Sequence, residues 1–472
     1  MDNKYKKSVS YSVVRIIANV INFNWNIPFQ YDQPSKGQGT GFFIDSRHIL
    51  TCEHVVSNSK NIYIEIPSKN SGKYECELVS ICPYFDIALL KTKDYKSDYY
   101  VKLGNSDKLK IGSKVDVIGY PVGFSGSNNI ANNLKITTGI ISGMQKKCIQ
   151  TDSPINPGNS GGPLFCNGVV VGINGSKLVG DDLENIGFSI PINNYKIIKE
   201  DLMKNSIVYR PNLLITYNNT DSELVKNLTN NKISNGILIS QILDKSVLKK
   251  SGIKKDCILT AINGYQLDNY GLTNKKWLDT NMNIDIILSK FKNNSIIPVE
   301  YYEKNVLKKI KIKLEPFIAP IRDIFPILEE VKYFVIGGMV FMNLAKNHVD
   351  PENLKILCNF LSKDDDYYNS KLILSYVFPN TKANILNNLK NSDIITKVND
   401  HVVNNIDGFI KNIMKPIIIN NVSYIKIENK EEKVFLMSVS DVIQQDMIFS
   451  EIYNYDLNKF HKQFKGTSYK GT

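Results

Sequence analysis

A chain of 472 residues that is 42% hydrophobic and 22% charged has the make-up of about three globular domains, which excludes a disordered or collagen-like chain. The net charge of +12 rests mainly on scattered lysines, so it reads as a solvated basic surface and no nucleic-acid partner is expected. Seven cysteines (Cys52, Cys76, Cys82, Cys148, Cys166, Cys257 and Cys358) form no CxxC pair, which argues against a disulfide frame or zinc site. Free thiols of this kind point to a reducing compartment.

The first residues are basic, but their apolar stretch is broken by Arg15, Asn19 and Asn22, so no signal-peptide core is read there. The longest apolar run, Tyr333–Leu344, is too short to span a bilayer. An intracellular protein, cytoplasmic or nuclear and without a membrane partner, is the expectation.

In chain order, Ser10–Ile21 alternates and is β-branched, which predicts a first strand. Phe23–Tyr31 interleaves aromatic and polar residues, and packing on its own barrel is one reading of it. Gly37–Ile44 runs from glycines into an apolar strand, and Ile49–Val56 carries His54 where another apolar strand ends. Asp86 opens the apolar run of Ile87–Leu90. From Asn61 to Ile190, short apolar runs alternate with Gly, Asn, Asp and Ser turns, as in an all-β sandwich or barrel.

The stretch Thr151–Phe165 stands apart. Three glycines and two prolines within Pro157–Pro163 forbid a regular helix or strand and make a preset loop around Ser160. Such a loop can aim the N–H groups of Gly158 and Ser160 at one point, as acyl transfer requires. A glycine-rich tight turn is the plain alternative. Serine is a poor nucleophile until an imidazole takes its proton and a carboxylate holds that imidazole. Of five histidines, His54 has the strand-end setting for that task, and Asp86 has it among the acids.

These stretches carry a family resemblance over roughly the first 200 residues. Ile49–Val56 (ILTCEHVV) resembles the LTNAHVV box of the HtrA/Deg serine proteases, and Phe85–Leu90 (FDIALL) their DLALL box. Pro154–Phe165 (PINPGNSGGPLF) resembles their NPGNSGGPL box, and Ile186–Ile192 their GFAIP strand. Gly37–Ile44 is similar to the strand opening the protease barrel, and Gly119–Gly123 to a GYPxG loop bordering the site. The resemblance implies two six-stranded barrels with His54 as general base, Asp86 as its orienter and Ser160 as nucleophile. It also implies an oxyanion hole at Gly158, Asn159 and Ser160, and a specificity pocket at Ile173, Asn174 and Phe188 that favours apolar side chains. Cys52-Glu53 departs from the family pattern and places a carboxylate beside the base. For Phe23–Tyr31 the resemblance implies a trimer contact.

Beyond the helical pattern of Asn194–Asn205, Asn235–Ser240, Ser246–Gly252 and Asp256–Gly264 resemble an HtrA-type PDZ domain. Its carboxylate loop falls at Asn212–Ile215, without the usual glycine. Leu372–Val377 and Asn391–Asp400 repeat the pattern more weakly. Tyr333–Phe341 (YFVIGGMVF) resembles the YFVFGGLVF strand of plant-type Deg proteases, whose second PDZ domain is degenerate and serves assembly.

The expected fold is mainly β: a chymotrypsin-like double β-barrel followed by two PDZ-like α+β domains. The expected order is an N-terminal segment 1–35, protease domain 36–204, PDZ domain 205–316, linker 317–331, second PDZ-like domain 332–450 and C-terminal tail 451–472, disordered over Thr467–Thr472. The expected function is an ATP-independent serine endopeptidase acting on misfolded or exposed polypeptides, as a homotrimer or higher homo-oligomer, with no cofactor or metal. A latent or non-catalytic chaperone or scaffold is the alternative, and an esterase the third.

Overall fold

The computed structural model describes residues 3–69, 72–122, 133–145, 147–175, 186–349 and 368–464. Gly123, Cys358 and the tail Thr467–Thr472 lie outside the described residues. The chain divides into two units, one of residues 1–20 and 35–317, the other of residues 21–34 and 318–472.

A strand exists where a ladder partner does. β1 (Val13–Val20) has its first partner at Val13, opposite Phe42, whereas residues 3–12 are helical. The expected strand from Ser10 is therefore corrected to begin at Val13. Ser12 instead turns its hydroxyl back to the Ser8 carbonyl, one helical turn earlier. β1 joins β2 (Ser35–Phe43), β3 (His48–Thr51), β4 (Ser59–Glu65), β5 (Lys73–Cys82) and β6 (Ile87–Thr92) in a closed barrel of order β1-β2-β3-β6-β5-β4. Ile16, Phe42, Phe43, Ile49 and Leu50 are completely buried there.

A second closed barrel contains β7 (Lys114–Gly119), β8 (Lys135–Gln145), β9 (Cys148–Thr151), β10 (Pro163–Cys166), β11 (Val169–Gly175) and β12 (Gly187–Pro191). Closure leaves neither sheet with an open edge. The helix Ile192–Leu202 follows and buries Ile192, Tyr195, Ile198 and Leu202, the one-sided spacing of an amphipathic helix.

The same unit continues into a sheet of β13 (Ile215–Asn218), β14 (Ile237–Ile242), β15 (Ile258–Ile262), β16 (Tyr265–Gln266), β19 (Ile296–Glu303) and β20 (Val306–Lys313). A hairpin of β17 (Leu272–Trp277) and β18 (Thr280–Asn283) is inserted before β19. Its apolar side is continuous with the second barrel's core: Val117, Leu164 and Val171 belong to one cluster with Ile237, Leu259 and Ile287. Trp277 Nε1–H donates to the Ser106 carbonyl at 3.2 Å across that packing.

The second unit repeats the first sheet's central device. β21 (Tyr333–Ile336), β22 (Met339–Asn343), β23 (Leu372–Val377), β24 (Ile394–Val398), β25 (His401–Val402), β26 (Ile417–Ile419), β27 (Val422–Asn429) and β28 (Val434–Ser438) share one sheet. β24 turns into β25 at Asn399-Asp400, as β15 turns into β16 at Asn263-Gly264, with left-handed φ at all four residues. In both copies the asparagine N–H donates at 2.7 Å to the neighbouring long strand, at Pro298 in one and Lys426 in the other. The fold is thus mainly β, a chymotrypsin-like double barrel followed by PDZ-like sheets.

Three expectations about the ends of these domains change. Residues 451–464, expected within a tail, form the end of one helix and a second helix, Lys459–Phe464, that buries Phe460 and His461. Residue Ile321, expected in a linker, is fully buried against Met342, Leu344 and Ile373. The aromatic segment, for which packing on its own barrel was one expectation, packs within this second unit. Trp25 meets His348 edge-on at 5.2 Å, Phe29 lies 5.3 Å from Tyr455, and the Ser375 hydroxyl donates to the Asn26 carbonyl at 3.0 Å.

A buried carboxylate organises this unit. Asp446 is fully enclosed and accepts the N–H groups of Gly337 and Gly338, at 2.8 and 3.0 Å, and His461 Nε2 lies 2.9 Å away. Removing one member of such a buried set strands its partners. Asp446→Ala is expected to cost about 3–5 kcal/mol. Hydrogen exchange at the Gly337 and Gly338 amides and the denaturant midpoint measure this, and unchanged protection would contradict it.

Candidate active site

β3 and β6 are neighbours, with Thr51 opposite Ala88. His54 lies three residues beyond Thr51 and Asp86 two residues before Ala88, so both emerge from the same end of the first barrel. His54 sits on the single helical turn Glu53–Val56. Asp86 closes the turn Cys82–Asp86 with φ +56°, a left-handed conformation that aspartate tolerates better than most residues.

The aspartate grips the histidine twice. Asp86 Oδ2 lies 2.7 Å from His54 Nδ1, and Oδ1 accepts the His54 backbone N–H at 3.0 Å. The Asp86 carbonyl also accepts the Glu53 N–H at 3.2 Å. A proton on Nδ1 satisfies the carboxylate and leaves Nε2 as the basic nitrogen.

Ser160 comes from the loop between β9 and β10, and is almost fully buried. Four consecutive carbonyls fix that loop. Pro157 O accepts from the Val122 N–H at 2.8 Å, and Gly158 O from the Thr40 hydroxyl at 2.7 Å. Asn159 O accepts from the Gly162 N–H at 3.0 Å, and Ser160 O from the Thr40 N–H at 2.9 Å. In a trans peptide the N–H points opposite to the preceding C=O. Anchoring Pro157 O and Asn159 O therefore sets the directions of the Gly158 and Ser160 N–H groups. Asn159 differs from expectation: its N–H is already given to Asn156 O at 3.0 Å.

The serine loop is locked to the histidine's barrel. Gly161 N–H donates to the Asn174 carbonyl at 2.7 Å, and the Cys52 thiol, two residues before His54, donates to the same oxygen at 3.2 Å. Gly161 has φ +85°, and a β-carbon there would lie 2.1 Å from Thr51 Oγ1. Only glycine fits.

Of the three expected pocket residues, only Phe188 lines a cavity beside Asp86. That cavity, of about 530 Å³, is bounded by Tyr84, Phe85, Cys148, Phe188 and Ile190 among others. Ile173 is completely buried, and Asn174 spends its side chain inside the second barrel. Asn174 Nδ2 donates to Pro163 O and its Oδ1 accepts from Ser189 Oγ, both at 3.1 Å. Neither faces the cavity. Tyr84, Phe85 and Cys148 went unassigned in the sequence, although Tyr84-Phe85 adjoin Asp86 and signalled a wall there.

Cys52, His54 and Asp86 place their donor atoms within 4.8 Å of one another, a spacing a metal could use. The imidazole and carboxylate already bond each other, and burial, followed by the Asp86 charge, pushes the Cys52 thiol well up. No helix among the described residues is long and apolar enough to cross a membrane.

Residues 39–173 match the family described as the trypsin-like peptidase domain. The likeness is to HtrA/DegP-type serine proteases. A Pseudomonas putida protein named probable periplasmic serine endoprotease DegP-like is 34% identical over 260 residues, covering 51% of this chain and 52% of its own length. The putative protease Do-like 13 of Arabidopsis thaliana is 27% identical over 407 residues, covering 83% of this chain and 79% of its own. The chain thus spans about half the length of the first bacterial relatives it matches. A solved structure of an HtrA-type protease AlgW variant with decapeptide has the same fold, with a TM-score of 0.50 and 20% identity over 66% of this chain and 96% of that one.

Thiolate is the reactive form of cysteine. Burial pushes the thiol of Cys82 up to about 12 and that of Cys148 up to about 11. Cys148 is partly exposed on the cavity, whereas Cys52 and Cys82 are completely buried. Among the cysteines of the described residues, alkylation of the native protein is expected to reach Cys148 first and to accelerate as pH rises towards 11. Cys52 and Cys82 are expected to label only at the rate of unfolding. Peptide mapping by mass spectrometry checks the order, and early labelling of Cys52 would contradict it.

Proposed function

We propose that this chain is a serine endopeptidase of the HtrA/Deg type in which His54, Asp86 and Ser160 form the catalytic triad. The observation that carries the reading is the anchored loop of residues 157–160, joined through the Asn174 carbonyl to the segment of an imidazole held twice by one carboxylate. Ser160 Oγ attacks a peptide carbonyl while His54 Nε2 takes its proton. Asp86 stabilises the resulting imidazolium, and the Gly158 and Ser160 N–H groups receive the charge on the oxygen. His54 then gives its proton to the leaving amine. Water, activated by the same nitrogen, releases the acyl group from Ser160.

The largely apolar wall of Tyr84, Phe85, Phe188 and Ile190 supports a preference for apolar side chains next to the cleaved bond. Misfolded or exposed polypeptides, which present such side chains, are the proposed substrates, cleaved without ATP. The plant-type subgroup with a second, degenerate PDZ domain is proposed from the segment Tyr333–Phe341, which lies in the first hairpin of the second sheet. The first PDZ-like module departs from free carboxylate capture. Leu214 takes the left-handed φ of +53°, and its N–H is already given to Asn212 Oδ1 at 2.7 Å. A homotrimer or higher homo-oligomer is proposed, with Phe23, Trp25 and Phe29 engaged inside their own chain. The free thiols support a reducing, cytoplasmic or nuclear setting, although the bacterial relatives are named periplasmic.

Digestion of unfolded casein, together with labelling by a fluorophosphonate, tests the triad. Wild type is expected to cleave and label, and Ser160→Ala to do neither. Asp86→Asn is expected to lower kcat by about 10⁴-fold with its fold intact. A wild type that neither labels nor cleaves would pass the reading to the chaperone or scaffold alternative.

A further inference from the structure

We propose that Thr40 is a positioning residue for acyl transfer, its hydroxyl fixing the peptide plane that lies between the two oxyanion donors. The inference rests on the serine-hydrolase reading above. Thr40 lies in β2, between Gly39 and Gly41, and is completely buried. A buried hydroxyl is costly unless both its donor and its acceptor capacity are used. Here both are used, and both serve the site.

The Tyr120 N–H, 2.9 Å from Thr40 Oγ1, can only donate. The hydroxyl proton is therefore free for the Gly158 carbonyl, 2.7 Å away. This orients the Gly158–Asn159 peptide, which connects the Gly158 N–H to the Ser160 N–H. The same residue's N–H donates to Ser160 O at 2.9 Å, and its carbonyl accepts the Thr51 hydroxyl at 2.8 Å, three residues before His54. The N–H, the carbonyl and the hydroxyl of one threonine thus make four hydrogen bonds, two to the serine loop, one to the strand before His54 and one to Tyr120. Gly158, at φ +95°, has no side chain to resist rotation of that plane, so the restraint must come from outside the loop.

The hydroxyl's role separates from the strand's. β2 is held to β1 by main-chain pairing, with Thr40 opposite Arg15, and this pairing does not use Oγ1. Valine has nearly the same shape and is equally suited to a strand. Thr40→Val therefore keeps the ladder while deleting the bonds to Gly158 and Tyr120. Thr40→Ser keeps those bonds and deletes only the methyl.

The experiment compares wild type, Thr40→Val and Thr40→Ser in peptide hydrolysis, fluorophosphonate labelling and amide hydrogen exchange over residues 157–161. Removing an oxyanion donor outright typically costs 10²–10³ in kcat, and a misplaced donor costs less. Thr40→Val is expected to lose about 10–100-fold in kcat and in labelling rate, with KM within about threefold. Its exchange at residues 158–160 is expected to accelerate, and Thr40→Ser to recover most of both. Wild-type kcat in Thr40→Val, or a Thr40→Ser as impaired as Thr40→Val, would overturn the proposal. Should Thr40→Val not fold, Thr40→Ala serves the same comparison. If wild type itself neither cleaves nor labels, the hydrolase reading fails on that result. Exchange still reads Thr40 separately: acceleration in Thr40→Val supports the restraint, and no change removes it.

Discussion

Peptide-plane orientation is the constraint on which the candidate site depends. A nucleophilic serine can be supplied by any loop, but two N–H groups aimed at one point demand that successive planes be fixed independently. The loop at Ser160 is fixed on its carbonyl side, where each of four oxygens from Pro157 to Ser160 has a donor. Those donors come from three places: the Val122 loop, the residue Gly162 just downstream, and Thr40 of the other barrel. Glycine makes the loop possible and also makes it soft. The tertiary hydrogen bonds restore the stiffness that the glycines remove.

The histidine side follows a different logic. His54 and Asp86 are placed by adjacent strands of one barrel, so register alone brings them near each other. The left-handed turn at Asp86 then aims the carboxylate so that one oxygen meets the ring and the other the backbone. The two halves of the site are joined at the Asn174 carbonyl, which accepts from Gly161 and from Cys52. This gives Asn174 its role. Its side chain is bonded inside the second barrel, and its carbonyl ties the serine loop to the segment before His54.

The pairing of His54 with Asp86 and the double barrel were legible because chemistry and closure restrict them strongly. A preset glycine loop with a serine, and a histidine and an aspartate at strand ends, admit few readings together. Thr40 was not legible in the same way, because its partners lie 80 and 118 positions away and no local pattern records them. Phe23–Tyr31 also misled, since aromatic residues announce burial without naming the surface that buries them. Residues 451–464 look polar and tail-like, yet Phe460 and the Asp446–His461 contact need only three residues to hold that end in place. Asn159 was grouped with the donors because it sits between them in sequence, and its N–H is given to Asn156 O.

A boundary in pattern is also not a boundary in packing. The sequence changes character near residue 205, where short barrel strands give way to a helix and a PDZ-like repeat, but the apolar cluster does not stop there. Val208 N–H donates to Ile81 O and Ile81 N–H to Ser206 O, so the connecting chain is zipped to the end of β5, just before the Asp86 turn. Arg210 continues this path. Its guanidinium lies over the Phe85 ring at 5.4 Å and donates to Asn293 Oδ1 at 2.8 Å. Burial lowers its pKa, yet arginine stays charged, so an ion enclosed here must be held by carbonyl and amide oxygens and by the ring face. The first PDZ-like module is therefore built into the wall that carries Asp86, whereas the second keeps a core of its own around Phe341 and Phe409.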